Sequence, residues 1–309
     1  MQKSPKQLAL LGLKGMAMGA ADVVPGVSGG TVAFVTGIYE ELISSINNVN
    51  LGLLKTLRTD GIKAAWKQLN GTFLLVLFGG IIFSIVSFAK GVSYLLENHP
   101  VLIWSFFFGL IVASAWLVGK SIQKWNIGLI LMLLAGIIIA FFISAIQTTV
   151  SGDTSSWYIF LSGAVAICAM ILPGISGSFI LVLMGSYHIV LEALNQRNIV
   201  LVLIFMAGCI VGLLSFARLL KLLFSKFKEL TIALLTGFMI GALYKVWPWK
   251  VNVGDAPIVR HSDGKEDWMT ANVLPQNFIG DNQLFLAIAC AFGGLLLVII
   301  LERFAPKEK

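Results

Sequence analysis

Charge is scarce in this chain, and so are the side chains from which active sites are built. Only 12% of its 309 residues are Asp, Glu, Lys or Arg, with three histidines and three cysteines among the rest. His99, His188 and His261 are scattered and no carboxylate cluster accompanies them. That leaves neither a nucleophile with its base nor a metal cluster, so an enzyme is not expected. Cys168, Cys209 and Cys290 fall inside apolar segments without metal-like spacing and read as small buried hydrophobes. No polar stretch is long enough to bury a core of its own, which argues against an appended soluble domain. No cofactor is expected.

What the chain has instead is apolar length. Hydrophobic residues make up 58% and the mean hydropathy is +0.91, far beyond an ordinary soluble domain. Crossing a hydrocarbon core takes about 20 largely apolar residues. The runs 71–89, 101–119, 127–146, 199–217, 231–247 and 284–301 meet that need, so six spans of an all-α polytopic membrane protein are expected. The net charge of +7 sits mostly in short loops between these runs, where the positive-inside rule accounts for it without a nucleic-acid partner. Lys3, Lys6 and the run 8–13 imitate a signal peptide, but Lys14 cuts the run short and Pro25-Gly26 follows, so the segment is expected to be retained.

The chain also repeats itself. Pro25-Gly26-Val27-Ser28-Gly29 recurs as Pro173-Gly174-Ile175-Ser176-Gly177, and the match extends to Gly37/Gly185 and Tyr39/Tyr187 at one offset of 148. A second match at offset 128 pairs Gly80 with Gly208, Ser87-Phe88-Ala89 with Ser215-Phe216-Ala217, Lys90 with Arg218 and Gly109 with Gly237. The offsets differ because the connection 47–70 is longer than its counterpart 195–198. Repeat one is read as 1–150 and repeat two as 151–309. Each holds a Pro-Gly segment and three spans, and an odd number of crossings turns the second copy over. Inverted-topology repeats are therefore expected, a build of secondary transporters whose substrate sits near the bilayer midplane. With the N-terminus inside, sixteen of the 22 basic residues face the cytoplasm, so both termini are expected there. Residues 47–70 alternate leucines with four basic residues and suit an amphipathic cytoplasmic segment on the lipid surface. The outer loop 248–283 offers no recognisable site.

The Pro-Gly segments are not ordinary spans. From Lys14 to Pro25 a helix rises about 16 Å, roughly half the hydrocarbon thickness, so the break falls near mid-membrane. Proline removes a donor and glycine admits unusual dihedrals, so each helix stops there and restarts at Ser28 or Ser176. Each segment is read as a re-entrant hairpin, 8–46 and 157–194, buried in protein or lining a wet cavity. The restarts Gly26, Ser28, Gly29, Gly30, Thr31 and Gly174, Ser176, Gly177, Ser178 would offer free N–H groups, hydroxyls and close approach to a phosphate. The plainer alternative is that both serines are N-caps and the glycines pack helices. Asp22, whose counterpart is Met170, could bind a coupling proton or sodium ion, or simply pair with Lys14. Lys90 and Arg218, and Tyr39 and Tyr187, are symmetric candidates for headgroup contact, or anchors at helix ends.

The motif Gly19-Ala20-Ala21-Asp22-Val23-Val24-Pro25-Gly26-Val27-Ser28-Gly29-Gly30-Thr31, with Leu172-Pro173-Gly174-Ile175-Ser176-Gly177-Ser178, resembles the bacterial polyprenyl-phosphate transporter family, PopT-like proteins once grouped only by an unassigned domain. The similarity covers nearly the whole chain. It implies a flippase in the bacterial cytoplasmic membrane that returns undecaprenyl phosphate, the carrier lipid of cell-wall synthesis, from the outer to the inner leaflet by alternating access. A small-anion transporter, an ion-coupled secondary transporter or a channel on the same scaffold is the alternative.

Overall fold

The computed structural model describes residues 3–22, 28–145, 155–254, 259–260, 266–267 and 269–304. The chain enters its first helix through a capping box. The Ser4 N–H donates to the Gln7 side chain at 2.8 Å and the Gln7 N–H returns a bond to the Ser4 hydroxyl at 3.4 Å, with Pro5 at the first helical position, where no donor is missed. Repeat one then runs α1 (Pro5–Asp22), α2 (Gly29–Val35), α3 (Tyr39–Asn47), α4 (Leu51–Thr59), α5 (Gly61–Leu69), α6 (Gly71–Asn98), α7 (Pro100–Lys120) and α8 (Ile127–Ala145). Repeat two runs α9 (Ser156–Ile171), α10 (Gly177–Leu183), α11 (Tyr187–Asn195), α12 (Ile199–Lys226), α13 (Lys228–Ala242) and α14 (Leu284–Phe304).

Among the described residues α6, α7, α8 and α12 are long and apolar enough to cross a membrane, with the bent pair α10–α11 a fifth candidate. The protein is a multi-pass, mostly helical membrane protein. One of the six expected spans falls short. Lys228 and Glu229 delay the apolar run of α13, whose 15 residues rise about 22 Å against about 30 Å of hydrocarbon. α14 is 21 residues long, and its apolar stretch extends over Leu284–Ile300 among its described side chains. The connection between α13 and α14 departs from an all-α fold: β1 (Lys250–Val253) pairs antiparallel with β4 (Met269–Asn272), and β2 (Val259–Arg260) with β3 (Glu266–Asp267). Residues 47–70 form the pair α4–α5, which exposes Leu51, Leu54, Leu57, Ile62 and Trp66.

Packing repeats between the halves. α1 lies on α6 as α9 lies on α12, and α7 lies on α14 as α13 lies on α8. Glycines make these crossings close. A Cβ on Gly15 would run into the Leu77 carbonyl, and one on Gly163 would meet the Phe205 carbonyl at 2.5 Å. Gly80 and Gly208 answer from the partner helices, against Gly12 and Phe160. Gly109 abuts Ala291, and Gly237 abuts Leu133. Removing side chains lets backbones approach where lipid gives helices no hydrophobic reason to associate. The last two crossings exchange helices between the halves, so neither half packs by itself.

Candidate functional site

Each Pro-Gly motif is followed by a short helix, and the first of these, α2, packs against α9 of the other half. α2 and α10 have seven residues each, and each ends at a glycine with positive φ: Gly37 at 72° and Gly185 at 65°. There the chain turns sharply, by 109° between α10 and α11. The returning arm of each expected hairpin is thus not one straight helix. The symmetric Gly37/Gly185 match marks the bend, because that backbone region favours glycine.

Ser28 caps α2: its Oγ accepts from the Gly30 N–H at 3.1 Å and donates to the Met170 carbonyl of α9 at 3.0 Å. Thr31, fully buried, accepts from the Gly174 N–H at 3.0 Å. Gly174 has φ +83°, and a Cβ there would lie 2.9 Å from the Phe238 carbonyl, so only glycine suits the second turn. Gly30 sits against the Ile171 carbonyl. The start of α2 and the turn at Gly174 therefore form one buried junction across the two halves. Gly26 lies outside the described residues.

The two helix ends are not equivalent. The Gly29 N–H at the start of α2 donates to the Asp22 carboxylate at 2.7 Å, so an internal anion already occupies that end. At the start of α10 the Ser176 side chain makes no capping bond. Its Oγ lies 2.9 Å from the Ser178 Oγ, and Ser178 is exposed. Gly177 packs against Ala166 and Met170, the position that replaces Asp22, so no carboxylate stands there.

Lys14 is not the partner of Asp22. It is buried and donates to the Thr36 carbonyl at 2.6 Å, where α2 ends. Eight residues of helix separate the two charges by about 12 Å along the axis, beyond direct contact. Lys14, Thr36, Lys3, Gln7 and Glu41 line a cavity of about 330 Å³, in which Lys3 pairs with Glu41 at 2.7 Å. On the other side of Thr36 lies an apolar cavity of about 290 Å³ between α1, α2, α7 and α14, lined by Ala17, Ala21, Val32, Phe107 and Leu110. One face of α1, through Leu10, Lys14, Ala17 and Ala21, runs past both. Neither cavity was legible in the sequence.

Among the symmetric candidates, Tyr39 is buried between Phe34 and Phe224 at centroid distances of 5.0 and 5.8 Å, and its hydroxyl has no partner among the described residues. That packing keeps its ring inside the protein. Tyr187 is half-buried beside His188, Arg218 is exposed on α12, and the side chain of Lys90 lies outside the described residues. The described residues hold no group of His, Cys, Asp and Glu able to bind a metal.

Comparison with known proteins agrees with this architecture. The chain is 44% identical over 299 residues, 96% of each chain, to a polyprenyl-phosphate transporter of Vibrio cholerae. It is 32% identical over 254 residues, 76% of this chain and 85% of the other, to a polyprenyl-phosphate transporter of Staphylococcus aureus. These names describe a transporter and not an enzyme. No solved structure matches. A family profile described as undecaprenyl phosphate translocase-like matches residues 18–261, and with relatives this similar over this length the chain belongs to that family.

Proposed function

We propose that this protein moves undecaprenyl phosphate from the outer to the inner leaflet of a bacterial cytoplasmic membrane. The observation that carries the reading is the junction of the two broken helices, where Gly174 donates to Thr31 and Ser28 donates to Met170. A phosphate cannot cross hydrocarbon unaided; its charge must be met by donors inside protein. Ser176, Gly177 and Ser178 supply donors at the end that lacks an internal anion, and Gly174 keeps the backbone close. Gly29, Gly30 and Thr31 join them once Asp22 leaves its amide. Asp22 is then the coupling group: binding a proton or a sodium ion neutralises the carboxylate and frees the Gly29 N–H for substrate. The repeats are inverted, both termini are cytoplasmic, and the halves rock about the junction to give alternating access. The apolar cavity beside α1 takes the first isoprene units of a tail that otherwise stays in lipid.

The test uses purified protein in liposomes with a short fluorescent polyprenyl phosphate. Flipping is expected, with weak competition from inorganic phosphate, because each buried methylene of the tail contributes about 0.8 kcal/mol to partitioning that a free ion lacks. A phosphodiester such as a zwitterionic phospholipid should be a poor substrate. Equal movement of both lipids would make the protein a nonspecific scramblase. Uptake of soluble phosphate without lipid movement would make it a small-anion transporter.

A further inference from the structure

Lys245 and Lys250 carry two positive charges that no carboxylate among the described residues meets. Lys245 follows the last turn of α13, and its Nζ lies 4.1 Å from the Phe179 ring centroid. Lys250 opens β1; its Nζ lies 4.0 Å from the Trp104 ring near the start of α7 and donates to the Lys245 carbonyl at 2.6 Å. The salt bridges among the described residues lie elsewhere, at Lys3–Glu41 and Lys228–Glu40. Burial pushes Lys245 below the usual lysine range, and burial together with the Lys245 charge pushes Lys250 down to about 7.

A single lysine at this position is explained by the partial negative charge at the end of α13, or by snorkelling. A second lysine held against the first is not, because like charges oppose each other and buried charges are ordinarily paired. An aromatic face offsets only part of an ammonium's lost hydration. The surroundings hold the pair in place rather than letting it swing to water. The Asn272 side chain ties β4 to the Tyr244 carbonyl at 2.7 Å, and the Trp247 and Trp249 indoles donate to the Val273 and Asn282 carbonyls at 2.8 and 2.9 Å. Those indole donors are thus committed, while the ammonium groups keep N–H donors to spare.

We propose that Lys245 and Lys250 form a receptor for a phosphate monoester on the face where α13 ends and α7 begins, with the Trp104 and Phe179 rings beside the ligand. The transport reading is needed only to say where the phosphate comes from, a lipid headgroup arriving from the outer leaflet. A free phosphate has the same headgroup chemistry.

The test is calorimetric titration of the full-length protein in detergent with geranyl phosphate and, separately, inorganic phosphate. Wild type should bind geranyl phosphate, and Lys245→Gln with Lys250→Gln should bind it about 30-fold more weakly, the loss expected when a buried ion pair is broken. Wild-type affinity in a double variant that elutes like wild type overturns the receptor, as does failure of wild type to bind either ligand. If the double variant does not fold, Lys250→Arg decides. Its guanidinium keeps its charge, so above neutral pH it must bind more tightly than wild type; equal affinity overturns the proposal. Equal binding of inorganic phosphate identifies a phosphate site indifferent to the tail, whereas geranyl phosphate alone identifies a headgroup site. Binding that survives in a preparation unable to flip lipid sinks the transport reading and leaves the receptor standing. Flipping and binding that both survive the double variant sink the receptor alone.

Discussion

Replacing Asp22 with asparagine separates a structural carboxylate from one that works in transport. Asp22 accepts a 2.7 Å bond from the Gly29 N–H and has no cationic partner among the described residues, since the Lys14 ammonium is committed to Thr36. Asparagine keeps an acceptor oxygen of the same reach. The change therefore exchanges a bond to a charged group, worth about 1.5–3 kcal/mol, for a neutral one of about 0.5–1.5 kcal/mol, a net loss of about 1 kcal/mol. Breaking a buried ion pair would instead cost about 3–5 kcal/mol. Thermal unfolding in detergent should register the small loss, with expression near wild type. In liposomes the variant should bind substrate but respond little to an imposed proton or sodium gradient, because its side chain cannot exchange charge. Wild-type flipping with unchanged gradient response would refute the coupling role. A loss of stability of 3 kcal/mol or more would mean that Asp22 balances a charge the static packing does not reveal.

Thr31→Val preserves shape but removes the acceptor of the Gly174 N–H, a buried donor. It should lower stability by about 1–3 kcal/mol, measured by thermal unfolding, and a loss below about 0.5 kcal/mol would show that the junction tolerates an orphan amide. Neighbouring glycines on α6 should behave oppositely: a Cβ on Gly79 meets nothing within 4 Å, whereas one on Gly80 runs into α1, 3.0 Å from the Met16 nitrogen. Gly79→Ala should be neutral or stabilising by up to about 1 kcal/mol, while Gly80→Ala should destabilise, and like effects in unfolding midpoints would contradict the close crossing. The Lys250 depression to about 7 fixes the sign of a pH effect. In the free folded protein the lysine is protonated below that value and neutral above it, whereas an unfolded chain keeps the proton to about 10.4, so stability should rise with pH across that window. A phosphate monoester gains its second charge near pH 6, so its affinity should rise through about 6, fall above about 7, and be accompanied there by proton uptake, read from calorimetry in two buffers of different ionisation enthalpy. Affinity that keeps rising above neutrality would separate Lys250 from the ligand.

The halves were legible because the same crossing needs the same glycine twice. Gly80 and Gly208, and Gly109 and Gly237, stand out at one offset precursor to any structure, and each proves to be a point where two backbones meet. Gly37 and Gly185 were visible as a match but not as a bend, since sequence does not display a positive φ. The bonds that close the junction were out of reach for another reason. Thr31 and Gly174 are 143 positions apart and Ser28 and Met170 are 142 apart, and nothing local in either segment names its partner. Helical proximity offered Lys14 as one alternative partner for Asp22, whereas its ammonium donates to the Thr36 carbonyl at the end of α2. Lys245 lies at the end of the apolar run 231–247 and Lys250 just beyond it, where charge reads as solvated, and the Phe179 and Trp104 rings beside them come from other helices.

The duplicated halves differ most where charge is involved. In repeat one the carbonyl that ends the short helix, at Thr36, is held by the Lys14 ammonium; in repeat two the corresponding carbonyl, at Met184, is held by the Tyr158 hydroxyl at 2.6 Å. The position matching Lys14 is Ser162, which bonds Ser186 at 2.7 Å, and the position matching Asp22 is Met170. The first half thus keeps a cation and an anion along α1, whereas in the second a hydroxyl takes over the cation's backbone bond and the anion's position is held by Met170. Backbone geometry can repeat while the field does not, because a hydroxyl satisfies a carbonyl as well as an ammonium does. On the transport reading an anion crossing between the halves passes from a neutral environment into one with an acid at the junction and a base beyond it. Such a field cannot set the net direction, which only a gradient can drive. It makes the two half-journeys unequal, and on the proposed coupling role of Asp22 the carboxylate is neutralised before phosphate moves toward Lys14, which would tie each crossing to one proton or ion.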